Sequence, residues 1–275
     1  CRLHVNNCNK NIIPVLEMAT SLFNDIIFGP VRSRRLGLSL GVNLLPTDSK
    51  LCNFDCIYCE CGWTPQGGHQ ARFTNRADVA RLLEDKLLEM TTAGNPPDVI
   101  TFAGNGEPTM HPDFGQIIDD TLRIRNSYAP EAKVSVLSNA TMIGRESVRS
   151  ALFKIDNNIL KLDSAFDDTV RLIDNPRGNF SVAETVANMK LFKGQLIVQT
   201  MFLRGMYNGR KVDNTTEEEV SAWLKLLDDI RPREVMIYSL DRDTPAPDLE
   251  KIYIDELSLI ADRVRALGIK TSVAG

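Results

Sequence analysis

The sequence predicts an α/β fold, an incomplete (β/α)6 TIM-like barrel of parallel strands with helices outside it, and three observations carry that expectation. Six apolar, β-rich runs recur along the chain, and amphipathic helical runs separate them. The residues with chemical potential fall at or just past the C-terminal ends of those six runs, the rim where barrel enzymes keep their active sites. Strands alternating with helices make parallel neighbours joined by right-handed crossovers, and six such units fit a curved, open barrel.

Taken in order, residues 1–27 are expected to form an N-terminal extension, within which residues 1–17 lie upstream of an ordinary start at Met18, and Cys1, Cys8 and His4 carry little functional weight. A single domain is expected over 28–275. The first strand is expected at 38–45, followed by a Gly- and Pro-rich loop at 61–74 that reads as mobile. A helix then carries Val79, Leu82, Leu83, Leu87 and Met90 on one face. The second strand is expected at 99–103, and the helix after it shows Phe114, Ile117, Ile118 and Leu122. Strands at 134–137 and 159–162 follow, then a helix opened by the capping box Ser181 with Glu184 and lined by Val182, Val186 and Met189. The fifth strand is expected at 196–202. A second capping box, Thr216 with Glu219, opens a helix lined by Val220, Trp223, Leu224, Leu227 and Ile230, with Trp223 a core residue. The sixth strand is expected at 235–240.

Composition bounds the function. The 275 residues are 43% hydrophobic and 25% charged, as in soluble globular proteins, and no apolar run approaches the roughly 20 residues a membrane span needs. Residues 1–17 do not read as a secretory signal, so a cytoplasmic location and no membrane partner are expected. A net charge of -4 disfavours a broad nucleic-acid surface. The basic clusters Arg32, Arg34, Arg35 and Arg204, Arg210, Lys211 read as solvated loop charges.

All six cysteines lie in the first quarter of the chain, four of them in Cys52-Asn53-Phe54-Asp55-Cys56-Ile57-Tyr58-Cys59-Glu60-Cys61. Structural zinc usually takes two ligand pairs a dozen or more residues apart, and this set is more cramped. A thioredoxin-type pair at Cys56 and Cys59 leaves Cys52 without a role. An iron-sulfur cluster explains the set better, because three close thiolates leave one iron of a cubane open.

Cys-x3-Cys-x2-Cys with Tyr58 before its last cysteine resembles the signature of the radical S-adenosylmethionine (SAM) superfamily. Phe28-Gly29-Pro30-Val31-Arg32-Ser33-Arg34-Arg35-Leu36-Gly37 and Gly104-Asn105-Gly106-Glu107-Pro108-Thr109 extend the resemblance to Fe-S oxidoreductases related to the tRNA wyosine-base synthases. The resemblance implies a 4Fe-4S cluster on Cys52, Cys56 and Cys59, and SAM chelating the open iron. Reductive cleavage of SAM to a 5'-deoxyadenosyl radical is the chemistry it implies. It also implies SAM contacts from Tyr58, from Gly104, Asn105, Gly106 and Glu107, and from Ser138, Asn139, Asp163 and Gln199, with Ser164 and Thr200 beside them.

Arg204, Tyr238, Asp241 and Arg242 are expected to contact a substrate on the same rim, under a loop holding Trp63 and His69. Cys61, Asp241 and Arg242 are the catalytic candidates, Cys61 as a hydrogen-atom donor, a sulfur ligand or a spare thiol. His69 and His111 read as solvated residues. Wyosine-type enzymes hold a second cluster on upstream cysteines, and 18–51 contains none, so a single cluster is expected. A small-molecule substrate is expected, with a flavodoxin or ferredoxin as reductant. RNA or protein modification and a non-catalytic redox module are the alternatives.

Overall fold

Residues 21–33, 36–65 and 72–275 are described by a computed structural model. From the N-terminus come β1 (Ile27–Ser33), β2 (Gly37–Val42), α1 (Arg76–Thr92), β3 (Val99–Phe102), α2 (Phe114–Tyr128) and β4 (Lys133–Ser138). Next are α3 (Glu146–Leu152), β5 (Asn157–Lys161), α4 (Asp167–Ile173), α5 (Val182–Lys190) and β6 (Ile197–Met201). The chain continues with β7 (Leu203–Tyr207), β8 (Arg210–Asp213), α6 (Glu217–Ile230) and β9 (Glu234–Tyr238), then β10 (Leu249–Lys251), α7 (Ile254–Ala266) and β11 (Lys270–Ala274).

All six expected strands form, as β2, β3, β4, β5, β6 and β9, and they lie side by side in that order, each pair parallel. Helices cover one face, so the sheet is the mostly parallel, open barrel expected. Two edge strands are additions. β1 pairs antiparallel with β2, and β11 extends the parallel run beyond β9. Neither announces itself in sequence: β1 contains Gly29-Pro30, and β11 is half-exposed and begins Lys-Thr-Ser. The expected break after residue 27 falls at the start of β1, and residues before it already pack on the fold, Phe23 stacking on Phe28 at 3.9 Å.

The helices dock as their periodicity requires. α1 buries Val79, Leu83, Leu87 and Met90, with Asn75 accepting from Ala77 N at 2.8 Å as its cap, and α2 buries Phe114, Ile117, Ile118, Thr121 and Ile124. Thr216 caps α6 through Glu219 N, but the Glu219 carboxylate departs from the capping box. It accepts from Ser164 at 2.6 Å and Thr169 at 2.5 Å, because buried hydroxyls there offer it bonds that also tie α6 to α4. Trp223 is a core residue as expected, its Nε1 donating to Leu162 O.

A second sheet, ordered β10-β7-β8, was not anticipated. Its β7–β8 hairpin turns at Asn208-Gly209, both at positive φ, the Asn-Gly signal of a type I′ turn. Thus 203–213 is a hairpin beside the barrel mouth.

Candidate functional site

Side chains two apart on a strand share a face, so the barrel interior can be read from its floor upward. Ile159, Ile197 and Met236 form an apolar cluster, with Leu137 packed on it. One step along the same strands come Lys161, Gln199 and Tyr238, with Lys161 and Gln199 register partners. The Oε1 of Gln199 is buried without a hydrogen-bond partner.

The cysteine loop roofs this space. Its backbone is tied to the end of α4, Ile57 N donating to Ile173 O at 2.9 Å and Arg177 N to Asn53 O at 2.8 Å. Leu51 bridges to Gly106 of the turn after β3. A Cβ on Gly106 would stand 1.9 Å from Leu51 O, and one on Gly104 2.5 Å from Asn43 Oδ1. Both glycines have φ near +140°. The close approach they permit is therefore to the cysteine loop and to Asn43.

Cys52, Cys56, Cys59 and Cys61 are all free thiols. Burial, with Glu107 adding to it, pushes the Cys52 thiol up to about 12. Burial likewise raises Cys56, whose Sγ lies 3.2 Å from Asp174 Oδ1. Cys59 differs: Cys61 and Lys50 lower its pKa against burial, while Cys59 and burial raise that of Cys61. Cys61 also lies 3.4 Å from Gly104 O.

Beneath these sulfurs lies Lys50, fully buried, donating to Gly62 O at 2.8 Å and 3.4 Å from Asp55 Oδ1. Burial would lower its pKa, but Cys59, Cys52, Cys56 and Asp55 outweigh burial and raise it. Three thiols within reach of one buried ammonium suit ligands that must become thiolates, as an iron-sulfur cluster requires.

At the next corner Lys161 is surrounded by acids. It meets Asp163 Oδ2 at 3.2 Å and Asp174 Oδ1 at 3.5 Å, and its Nζ contacts the Tyr58 hydroxyl while lying 4.6 Å from that ring's centre. Tyr58 also donates to Asp163. Burial would lower the Lys161 ammonium, yet Asp163, Cys56 and Asp174 raise it. Burial and Asp163 hold the Asp174 carboxyl up at about 7 against Lys161. Tyr238 lies close enough to act on both Lys161 and Tyr58.

Opposite lies Glu107, buried and met by neutral donors: Thr109 N at 3.0 Å, Ser138 Oγ at 2.8 Å, Asn139 N at 2.6 Å and the Thr109 hydroxyl. Burial raises its pKa despite them. Asn139 reaches on to Asn53 Oδ1 at 2.7 Å and Cys52 Sγ at 3.7 Å. The Asn105 side chain is engaged by Phe23 and Pro46 O, so only its backbone faces the glycine turn. Asp163 accepts from Met201 N, Thr200 donates to Leu162 O, and Ser164 donates to Glu219.

The expected substrate contacts do not all converge. Tyr238 stands at the mouth, but Arg204 turns to α7, bonded to Glu256 and to Thr215 Oγ1 at 2.5 Å, because it belongs to β7 outside the barrel. Arg242 pairs with Glu60 of the cysteine loop at 2.6 Å, and Asp241 lies 3.7 Å from Lys251. Trp63 stacks on Tyr207 at 6.1 Å. His69, Arg34, Arg35 and residues 1–20 lie outside the described residues. His111 is not solvated: it is buried, Nε2 bonded to Thr74 O and Nδ1 accepting from Asp113 N, a packed turn residue.

Sequence reading missed Lys50, Asp55, Lys161, Asp174 and Arg177. Lys161 carried a signal, a lysine ending an apolar strand in step with inward-facing Ile159. Asp174 and Arg177 carried none, since they reach the loop only through the fold.

A family described as the radical SAM superfamily matches residues 48–207, more than half of the chain. A UPF0026 protein of Synechocystis sp. is 31% identical over 80% of this chain and 77% of its own length. A UPF0026 protein of Methanocaldococcus jannaschii is 29% identical over 76% of this chain and 61% of its own. A protein named GTPase Obg in Brachyspira hyodysenteriae is 29% identical over 79% of this chain, which spans only 30% of that protein. Among solved structures, a radical SAM methyltransferase from Sphaerobacter thermophilus aligns with TM-score 0.62 at 15% identity, covering 86% of this chain and 65% of its own. TYW1 with a lysine-pyruvate adduct bound aligns with TM-score 0.56 at 14% identity, covering 83% and 73%. These two likenesses show the fold.

Proposed function

Because this chain belongs to the radical SAM superfamily and, within it, to the UPF0026 proteins, we propose that Cys52, Cys56 and Cys59 hold a single 4Fe-4S cluster for reductive cleavage of SAM. The observation that carries the reading is the junction of the cysteine loop with the glycine turn at Leu51 and Gly106, over a barrel mouth lined by Lys161 and Gln199. A cluster held by these three cysteines would supply the one electron needed for reductive cleavage of the SAM carbon-sulfur bond to methionine and a 5'-deoxyadenosyl radical.

The chain's own residues divide the remaining work. Tyr58 and the backbone at 104–107 border the SAM site, and Asp163 and Gln199 offer polar contacts, Gln199 through its unpartnered oxygen. Glu107 acts indirectly, holding Ser138 and Asn139 against the loop. Lys161 joins this set as a cation facing the mouth. The substrate is a small molecule contacted by Tyr238, and a flavodoxin- or ferredoxin-type protein delivers the electron. No described helix is long and apolar enough to cross a membrane.

The test is anaerobic reconstitution with iron and sulfide, reduction with dithionite, addition of SAM, and chromatographic measurement of 5'-deoxyadenosine, comparing wild type with Cys56→Ala. Product from the wild type and none from the variant is expected. A loaded, reduced wild type that never cleaves SAM overturns the reading in favour of a redox module.

A further inference from the structure

We propose that Lys50 is a positioning residue whose buried charge raises the reduction potential of the cluster carried by Cys52, Cys56 and Cys59, with Asp55 and Arg177 setting how much of that charge the cluster feels. The inference rests on the reading above that these cysteines hold the cluster.

Lys50 is a side chain that solvent does not reach, 1% exposed, two positions before the first thiol of the loop. Its ammonium is fixed by donation to Gly62 O at 2.8 Å, and Gly62 N in turn donates to Cys59 O at 2.8 Å, so the lysine is locked to the segment that carries a ligand. A single neighbouring carboxylate, Asp55 at 3.4 Å, could cancel its charge. That carboxylate is already held on its other oxygen by Arg177, at 2.9 Å from Nε and 2.6 Å from Nη2, and its first oxygen accepts from Thr64 N at 2.8 Å. Two cations share one anion, and the group keeps a net positive charge on the side facing the sulfurs.

The other charges nearby do not provide this. Lys161 is matched by Asp163 and Asp174, and Glu107 is a further acid at the Cys52 side. Lys50 is thus the cation that offsets them at the Cys59 corner. Reduction adds one electron, taken from an external donor, to an already anionic cluster and changes no bond at Lys50. A buried cation stabilises the more negative, reduced form the more strongly, which moves the potential upward. Removing Arg177 frees Asp55 to neutralise Lys50, so both substitutions act in one direction with graded size.

The experiment compares wild type, Lys50→Met and Arg177→Gln, each reconstituted anaerobically as the full chain, assayed for iron and sulfide, and titrated to its midpoint potential by the paramagnetic signal of the reduced cluster. Methionine matches lysine in length and apolar stem while lacking its charge. The expected result is a more negative midpoint in both variants, larger in Lys50→Met. An unchanged or more positive midpoint in a fully loaded Lys50→Met overturns the proposal. Where Lys50→Met does not load, Arg177→Gln decides, and a wild-type midpoint there overturns it equally. A wild type that itself takes up no cluster defeats the proposed function, and this inference with it, and is told apart by the iron and sulfide assay.

Discussion

Two buried carboxylates support the cysteine loop from opposite sides, and they do so by different physics. Glu107 is 2% exposed and receives neutral donors from Thr109, Ser138 and Asn139. Asp174 is 1% exposed and sits in a charged group with Lys161, Asp163, Tyr58 and the Cys56 thiol. Neutral hydrogen bonds hold Glu107 without a counter-ion, so that side behaves as a clamp between β3 and β4. On the β5 side one lysine serves two acids, and removing it leaves unpaired charge in a place water does not reach. One side of the mouth is therefore built for rigidity and the other for electrostatics.

The largest expected effect breaks the β5 side. Lys161→Met leaves Asp163 and Asp174 without their cation and is expected to destabilise the fold by about 3–5 kcal/mol, read from urea unfolding. Adding Asp174→Asn to that variant should recover a substantial part of the loss. A Lys161→Met protein as stable as wild type would show that the acids are not charged in the way the comparison requires.

Glu107→Gln tests the clamp with a smaller effect. Its amide cannot accept from all the donors that the carboxylate oxygens now serve, so about 2 kcal/mol is expected to be lost in the same measurement. The loss should not be recovered by any change at Asp174, because the two sides share no partner. The smallest effect belongs at the rim: Arg242→Ala removes an exposed ion pair with Glu60, and a change below about 0.5 kcal/mol is expected. A large loss there would mean that the 2.6 Å contact orders the cysteine loop.

Much of this architecture was legible before any coordinates. Six strands followed from apolar runs such as Val-Ile-Thr-Phe in β3, since a parallel strand buried on both faces has no other composition open to it. The helices at Phe114 and Thr216 were legible for the same reason, one apolar stripe each. Failures fell where local sequence is ambiguous. β11 is short and polar, and the β7–β8 hairpin hid behind a basic run, although Asn208-Gly209 marked its turn. His111 read as a solvated polar residue because nothing local says that Thr74 will lie over it.

What the sequence determined by itself is the six central parallel strands, the cysteine spacing and the placement of reactive residues at strand ends, all properties of short stretches of chain. Only the tertiary structure decided which charges face the sulfurs. Lys50 and Arg177 meet across Asp55, and Lys161 meets Asp174, over separations that no local pattern encodes. A buried charge is tolerable only beside its partner, and that partner is supplied by packing the cysteine loop against the end of α4.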